Sequence, residues 1–417
     1  MTEPTEATEP SEATEPSGPS GPLSDILVVD LSRALSGPHA AMMLGDLGAR
    51  VIKVESPGRG DEIRGWGPPF VGPDADIGTY FLSCNRNKES ITLDLKSPDG
   101  VEVLTALVER ADVLVENFRP GVLDRLGFGV ERLHELNPRL VIASITGFGH
   151  DGPEGARAGY DQIAQGEGGL MSVTGPDPGH PNRVGVPISD LLSGMNAAYG
   201  VVAALHERHR TGRGRVVRTS LLASVVGVHA LHGTAYTVAG HVGRANGNHH
   251  PAIAPSGLFA CADGMIQLAI AAQAQWLRFC EIFGIEPEAP GMATNADRVR
   301  NRAMVIERVE SAFAQWEAAP LLARLAEAGI PSGKVRDIDE VYAWDQVASQ
   351  GLILDVEHPV LGPIRLPGSP IRFDDTAFSG GREEHLPPPQ LGEHDAAIRA
   401  WLGMGDKSPD GDPWPTT

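Results

Sequence analysis

The chain has 417 residues, of which 41% are hydrophobic and 21% are charged, and its formal net charge is -20. This length exceeds the roughly 100 to 200 residues of a typical domain and predicts at least two lobes. The acidic balance excludes a general nucleic-acid binder, which needs a basic face to neutralise phosphates. No apolar run approaches the roughly 18 residues of a membrane span, so we expect a soluble, cytoplasmic protein without a membrane partner.

The first 22 residues repeat Thr, Glu, Pro, Ser and Ala, a composition typical of a disordered acidic tail. The tail has neither the basic start nor the apolar stretch of a targeting peptide. The cysteines, Cys84, Cys261 and Cys280, are too few and too far apart for a disulfide framework or a metal cluster. We therefore expect a reducing compartment and no metal site.

After the tail, short apolar runs alternate with helical stretches, which predicts an open α/β fold with a parallel sheet. The helices are expected at 39–47, from Pro98, at 123–136 and at 191–208. The strands are expected at 26–31, 50–55, 112–117, 140–145 and 216–221.

The second half of the chain has a different composition and a different pattern of expected elements. Residues 234–255 are rich in Gly, Asn and His without a period, which is typical of a linker and a loop beside a site. A strand at 265–270 and helices at 274–283, 297–314 and 320–328 predict a smaller domain. Short strands interrupted by Pro and Gly, including 362–373, predict a return to the first lobe. The expected parts are therefore a tail at 1–22, a large domain at 23–233, a linker and small domain at 234–328, and a return with a C-terminal tail at 329–417.

Several short motifs follow one another in a fixed order. They are DLSRALSG at 30–37, VIKVE at 51–55, RGW at 64–66, NRNK at 85–88, LDLK at 93–96, ENFRPG at 116–121, GYD at 159–161, GG at 168–169, GIPSGK at 329–334 and LGEH at 391–394. No single motif is specific, but the ordered set resembles the family III CoA-transferases from residue 23 to about 403.

This resemblance implies a large Rossmann-like domain built from the N- and C-terminal parts, a smaller α/β domain, and two ring-shaped chains interlocked as a homodimer. It also implies an enzyme that moves CoA from an acyl-CoA donor to a carboxylic acid acceptor. A CoA thioester would then be the substrate, and no tightly bound cofactor is expected.

In the family, the nucleophile is an Asp just before a long apolar helix, which here is Asp190. Attack by its carboxylate on the thioester would give an anhydride and then an aspartyl-CoA thioester. We expect this carboxylate to be ionised near neutral pH, so that no general base is needed. From pattern alone, the alternative is that Asp190 is the N-cap of the helix at 191–208, and the two roles are compatible.

The resemblance also implies a set of CoA contacts. Among them, Lys96 and Arg125 are the expected phosphate partners, although each is equally well read as a solvated surface charge. Ser56 stands where formyl-CoA transferase has an arginine, which weakens one phosphate contact. The full set of expected contacts is Leu35, Ser36, Leu93, Asp94, Leu95, Lys96, Asn117, Phe118, Arg119, Arg125, Ala158, Gly159, Tyr160 and Asp161.

Three further features bear on the acyl group. Backbone N–H groups of Gly168 and Gly169, or of the loop at 246–248, are candidates to stabilise an oxyanion, although tight turns explain the glycines equally well. The adjacent His249 and His250 make a poor metal site, and we expect their loop to contact the acyl group. A basic neighbourhood, comprising Arg33, Arg64, Arg86 and Lys88, favours a dicarboxylate such as succinate.

Two alternatives remain open at this stage. The α-methylacyl-CoA racemases share the implied fold and pair the matching Asp with a His as acid and base. That His falls at Tyr160 here, and because tyrosine titrates near 10 it is a poor base for an α-proton. The second alternative is a non-catalytic CoA-binding protein, against which the presence of Asp190 argues.

Overall fold

The computed structural model describes residues 20–373 and 380–404. The expected disordered tail, up to residue 19, and the C-terminal tail beyond residue 404 lie outside the described residues. The strands are β1 (Leu27–Asp30), β2 (Arg50–Glu55), β3 (Phe70–Val71), β4 (Ile77–Gly78), β5 (Lys88–Thr92), β6 (Val113–Glu116), β7 (Val141–Thr146), β8 (Val216–Ser220), β9 (Ser256–Cys261), β10 (Gly264–Ala269), β11 (Ser332–Lys334), β12 (Ile353–His358) and β13 (Gly362–Pro367).

The helices are α1 (Ser36–Asp46), α2 (Thr79–Cys84), α3 (Pro98–Arg110), α4 (Val122–Arg125), α5 (Val130–Leu136), α6 (Asp161–Glu167), α7 (Ile188–Thr211), α8 (Leu221–Gly227), α9 (Ala230–Ala239), α10 (Gln273–Phe283), α11 (Asn295–Arg300), α12 (Arg302–Phe313), α13 (Ala318–Glu327), α14 (Ile338–Tyr342), α15 (Asp345–Ser349) and α16 (Asp395–Trp401). Two 3-10 helices lie at Glu62–Gly65 and Leu170–Val173.

The chain divides into two compact units, of which the first comprises Met1–Asp161, Ser189–Ser224 and Gln346–Thr417. It contains a six-stranded sheet in the order β5-β2-β1-β6-β7-β8, and every pair of neighbouring strands is parallel. The predicted parallel sheet is therefore confirmed. Its four central strands, β1, β2, β6 and β7, are buried on both faces, which is why their sequences are mainly apolar runs.

Helices cover both faces of this sheet. One core joins α3 and α5 to the sheet through residues such as Leu104, Leu107 and Leu133, and the other joins α1 and α7 through residues such as Leu44 and Val201. By length and composition α7 would suffice to cross a membrane. Its buried face, however, packs into the second core, as a helix of a folded domain does. Cytoplasmic location stays a prediction.

The second unit comprises Gln162–Ile188 and Val225–Asp345. Its antiparallel sheet has the order β11-β10-β9 and packs against α10, α12 and α13 around an aromatic core containing Trp276, Phe279 and Phe313. The segment 162–188 belongs to this unit and lies far in sequence from the rest of it. The boundaries expected from sequence, after residues 233 and 328, stay predictions.

Several elements of the structure differ from those that the sequence predicts. Strand β5 was not expected, because it begins with the charged residues Lys88 and Glu89. The helix expected at 123–136 is broken into α4 and α5 at Gly127, whose φ is +83°. The stretch at 297–314 is likewise two helices, α11 and α12. Helix α9 occupies part of the expected linker.

Candidate active site

The sheet of the first unit has a topological switch point between β1 and β6. From β1 the chain proceeds through β2 to β5 on one side, and β6, β7 and β8 lie on the other side. In open parallel sheets, ligands bind at the carboxyl ends of the strands beside such a point. The segments that follow β1 and β6 contain Leu35, Ser36 and residues 117–119. The expected CoA contacts therefore lie where the topology alone would place a ligand.

A buried charge network holds the segment after β1. Lys53 and Lys88 are almost completely buried, and both approach Asp30 at the end of β1, with Lys88 Nζ 2.9 Å from Asp30 Oδ2. Lys53 Nζ also donates to the Ser32 carbonyl and to Asp61, each at 2.9 Å. The second oxygen of Asp61 accepts the N–H of Ala34 at 3.1 Å, so the turn is held from both sides.

The basic neighbourhood expected to hold a second carboxylate is largely occupied by these internal pairs. Arg64 forms a two-pronged ion pair with Glu55, Arg86 forms one with Asp46, and Lys88 pairs with Asp30. That expectation is therefore wrong for Arg64, Arg86 and Lys88, because each already neutralises a carboxylate of the chain. Arg33 is the exposed member of the four, and its guanidinium lies 5.4 Å from the centre of the Phe118 ring.

Asn117 joins the segments that follow β1 and β6. Its amide oxygen accepts the N–H of Arg33 at 2.8 Å, and its amide nitrogen donates to the Arg33 carbonyl at 2.7 Å. The same nitrogen lies 3.4 Å from the Ser36 hydroxyl oxygen at the start of α1. The structure thus brings Ser36 and Asn117 together.

Asp190 lies in the first turn of α7, and close packing of this helix places it beside α1. A Cβ added at Gly194 would stand 2.6 Å from the Ser36 carbonyl oxygen, so only glycine permits this approach. The Ser36 side chain is also close enough to the Asp190 carboxyl group to lower its pKa. Ser36 therefore lies between Asn117 and the expected nucleophile.

The structure does not support the N-cap alternative for Asp190. Helix α7 begins at Ile188, so Asp190 lies inside its first turn. Asp161, from the GYD motif, holds the start of α7 instead. Its carboxylate accepts the N–H of Ser189 at 2.8 Å and the hydroxyl of Ser189 at 2.5 Å.

The charge state of Asp190 also differs from the expectation of an ionised carboxylate. Burial raises its pKa to about 7, and the negative charge of Asp161 adds to the rise, while the Ser36 side chain opposes it. Near neutral pH, Asp190 is therefore present partly as the protonated acid and partly as the carboxylate.

Tyr80 is a neighbour of Asp190 that the sequence does not indicate. Burial and then the charge of Asp190 raise the pKa of Tyr80 to about 12, which places a neutral phenol near the carboxyl group.

The remaining expected CoA contacts also lie at the carboxyl edge of the sheet. Leu93 is buried directly after β5, whereas Asp94 and Lys96 are exposed and Leu95 is half-buried. Arg119 and Arg125 are exposed after β6, as cations that bind a solvated phosphate would be. Gly159 packs against the turn after β7, with exposed Ala158 and Tyr160 on either side of it.

The second unit contains a pocket of about 680 Å³ beside the loop that carries His249 and His250. Its lining also includes Ser256, Gln267 and Ser332.

The expected oxyanion role of Gly168 and Gly169 is not supported, because their N–H groups donate to the Ala164 and Gly166 carbonyls. Both glycines belong to an ordinary turn.

Among the residues that the structure describes, 20–373 and 380–404, no group of three His, Cys, Asp or Glu residues is placed to hold a metal ion. The three cysteines are free thiols.

The switch-point sheet, with a protonatable carboxyl group near its carboxyl edge, defines an α/β protein with a candidate ligand site. The family model described as CoA-transferase family III matches residues 23–395. The chain belongs to this family.

Curated relatives agree. The chain is 39% identical over 376 residues to "Succinyl-CoA:glutarate CoA-transferase" of Mus musculus, covering 89% of this chain and 84% of the relative. It is 38% identical over 394 residues to "Succinate--glutarate CoA-transferase" of Agrobacterium fabrum, covering 91% and 96%. A crystal structure of a CaiB/BaiF family protein from Brucella suis matches with a TM-score of 0.82 at 39% identity, covering 92% of this chain and all of that one.

These likenesses confirm the predicted family and the activity, which is transfer of CoA between an acyl-CoA and a carboxylate. They favour transfer over the racemase and the non-catalytic alternatives. The CoA thioester is accordingly a substrate of the enzyme.

Proposed function

We propose that the transfer proceeds through covalent intermediates on Asp190. The observation that carries this proposal is the position of Asp190 in the first turn of α7, which packs closely against Ser36 at the start of α1 through Gly194. A carboxylate there stands at the carboxyl edge of the sheet, where the topology favours a bound ligand. The first turns of two helices also favour a negative charge at this position.

The steps balance without ATP or a metal ion. An Asp190 oxygen attacks the donor thioester carbonyl, the C–S bond breaks, and an aspartyl anhydride and a CoA thiolate result. The thiolate attacks the aspartyl carbonyl, which releases the donor acid and leaves an aspartyl-CoA thioester. The acceptor carboxylate attacks this thioester and displaces the thiolate, giving a second anhydride. The thiolate then attacks the acceptor's acyl carbonyl, which yields the new acyl-CoA and restores the Asp190 carboxylate.

CoA itself is proposed to lie along the carboxyl edge between β5 and β7. Lys96, Arg119 and Arg125 are exposed cations that suit its phosphates, and the neighbouring segments at 35–36, 93–95, 117–118 and 158–161 supply the remaining contacts. The proposal includes no tightly bound cofactor.

The acids are proposed to include dicarboxylates, because relatives at 37–39% identity are named for succinyl-CoA with glutarate or mesaconate. Arg33 is the side chain proposed to hold the distal carboxylate. It is exposed, and its backbone is fixed by Asn117 next to Ser36.

The active form is proposed to be a homodimer, interlocked as in the family. Support comes from α7, which exposes Met195, Tyr199 and Val202 at helical spacing, with 45%, 79% and 40% of each residue accessible. An apolar face of this kind on a core helix is typical of an interface.

Light scattering should give twice the chain mass of 44.1 kDa. A mass of one chain at micromolar concentration would overturn the dimer.

The raised pKa of Asp190 predicts the pH dependence of the first half-reaction. Because only the carboxylate attacks, kcat/KM for the acyl-CoA should fall about tenfold per pH unit below pH about 7 and level off above it. Asp161→Asn removes the negative charge that adds to the rise, and its amide oxygen still accepts the Ser189 N–H. In this variant, kcat/KM should therefore begin to fall at a lower pH than in the wild type. Stopped or continuous thioester assays between pH 5 and 9 would measure the difference.

Asp99→Asn is the matched control, since Asp99 is an exposed partner of Arg399. Its profile should coincide with that of the wild type. Coincident profiles for Asp161→Asn and the wild type would contradict the assigned source of the shift.

The dicarboxylate proposal predicts discrimination between acids that differ only in their second carboxylate. Glutarate should be used with a kcat/KM about tenfold or more above that of pentanoate, because one guanidinium–carboxylate pair contributes about that factor. Arg33→Gln should reduce this preference, whereas Arg132→Gln, at an exposed site on α5, should not. Thioester products are quantified by mass spectrometry. Turnover of monocarboxylates alone would rule the proposal out.

A further inference from the structure

Three polar side chains form a hydrogen-bonded chain at the ends of β6 and β7. Glu116 and Ser144 are register partners on these neighbouring strands, so their side chains point to the same face of the sheet. The Ser144 hydroxyl is hydrogen-bonded to Glu116 Oε1, and its oxygen lies 2.8 Å from His150 Nε2. His150 returns to the sheet because Gly149 adopts a φ of +123°, with its N–H bonded to the Thr146 hydroxyl.

One end of this chain holds the turn after β6. Glu116 Oε2 accepts the N–H of Phe118 at 2.8 Å, which fixes the turn that carries Asn117 and Arg119. Glu116 is 6% exposed and Ser144 7% exposed, so water competes little for these bonds.

The other end of the chain lies in the turn after β7, which holds the segment of the GYD motif. A Cβ added at Gly147 would stand 2.7 Å from the Gly159 Cα, so the two backbones are in direct contact. The Arg157 guanidinium lies 4.6 Å from the centre of the Phe148 ring. The turn at 147–150 thus supports residues 157–161 from one side.

The side chains of Glu116, Ser144 and His150 can share their protons in two hydrogen-bonded arrangements. Burial raises the pKa of Glu116, with Asp124 adding to the rise, while Ser144 and the Phe118 N–H oppose it. Burial and then Arg218 lower the pKa of His150, and Asp151 acts in the opposite sense. A protonated Glu116 donates to Ser144, which donates to a neutral His150. An ionised Glu116 instead accepts from Ser144, which accepts from His150 Nε2–H. The Phe118 N–H is bonded in both arrangements.

We propose that Glu116, Ser144 and His150 are positioning residues that hold the turn at 117–119 and the segment at 157–161 at the spacing required for CoA. This inference rests on the proposed function, which places CoA contacts in both segments. The three residues act on the binding of the CoA portion of the substrate and not on the reacting carbonyl. Their loss therefore weakens CoA binding while the chemical step at Asp190 persists.

Ser144→Ala interrupts the chain at its centre. We expect the Kd for free CoA, measured by calorimetry, and the KM for succinyl-CoA each to rise about tenfold, the effect of losing roughly one well-formed hydrogen bond. The kcat at saturating succinyl-CoA should change by less than about threefold. A general structural defect would instead lower kcat together with the yield of folded enzyme.

Two variants at Glu116 sharpen the test. Glu116→Gln mimics the protonated arrangement, because its amide oxygen accepts from Phe118 while its amide nitrogen donates to Ser144. Its Kd for CoA should stay within about threefold of the wild type, whereas Glu116→Ala should match Ser144→Ala. Thr105→Ala is the control, since its hydroxyl bonds to the Val101 carbonyl within α3. His150→Ala, at a half-buried turn position, gives the same test if Ser144→Ala does not fold.

Asn117→Ala separates failure of this inference from failure of the proposed CoA site. If Asn117→Ala weakens CoA binding but Ser144→Ala and His150→Ala do not, the positioning role is overturned and the CoA site stands. If none of the three changes the Kd for CoA, the location of the CoA site is itself wrong and the inference falls with it. A fall in kcat with an unchanged Kd also overturns the positioning role.

Discussion

The candidate site depends on the pairing of buried lysines with carboxylates at the end of β1. Lys53 and Lys88 share Asp30, and Lys88 also donates to the Pro38 carbonyl and to Asn85, each within 2.9 Å. These bonds fix the path from the end of β1 into α1, and with it the position of Ser36. Because removing one partner leaves an uncompensated charge in the interior, loss of either cation would cost about 3 to 5 kcal/mol. The network thus specifies one conformation of the turn.

Two buried carboxyl groups of the first unit have pKa values that are shifted in opposite directions. Burial alone would raise the pKa of Asp30, but Lys88 and Lys53 hold it below its ordinary value, so Asp30 stays charged and structural. At Asp190, burial is joined by a negative neighbour, Asp161, and the pKa rises to about 7. A carboxylate without a neutralising cation is a more reactive nucleophile when it is ionised. Such separation of pKa values between carboxyl groups is typical of functional sites.

Much of the first unit could be predicted from its sequence, because apolar runs such as 50–55 carry a clear strand signal and the ordered motifs identify the family. Strand β5 could not, since Lys88 and Glu89 are buried only through partners distant in sequence, Asp30 and Arg50. For the same reason the sequence suggested free cations where the structure has ion pairs. The charge state of Asp190 depends on burial and on Asp161, which no local pattern reveals. The roles of the expected CoA contacts stay predictions.

The most direct test of the central claim is to trap the acyl group on Asp190. Wild-type enzyme is incubated with succinyl-CoA and then with hydroxylamine, and its peptides are analysed by mass spectrometry. We expect a hydroxamate at Asp190 in the wild type. In Asp190→Asn we expect no modified peptide, and transfer should fall by several orders of magnitude. Because folding raises the pKa of Asp190 from 3.8 to about 7, the stability of the wild type falls as the pH rises between these two values and stays reduced above them. The variant should therefore be at least as stable as the wild type at pH 8, so misfolding would not explain the loss. A hydroxamate on another carboxylate, or near-normal transfer by Asp190→Asn, would show that Asp190 is not the nucleophile.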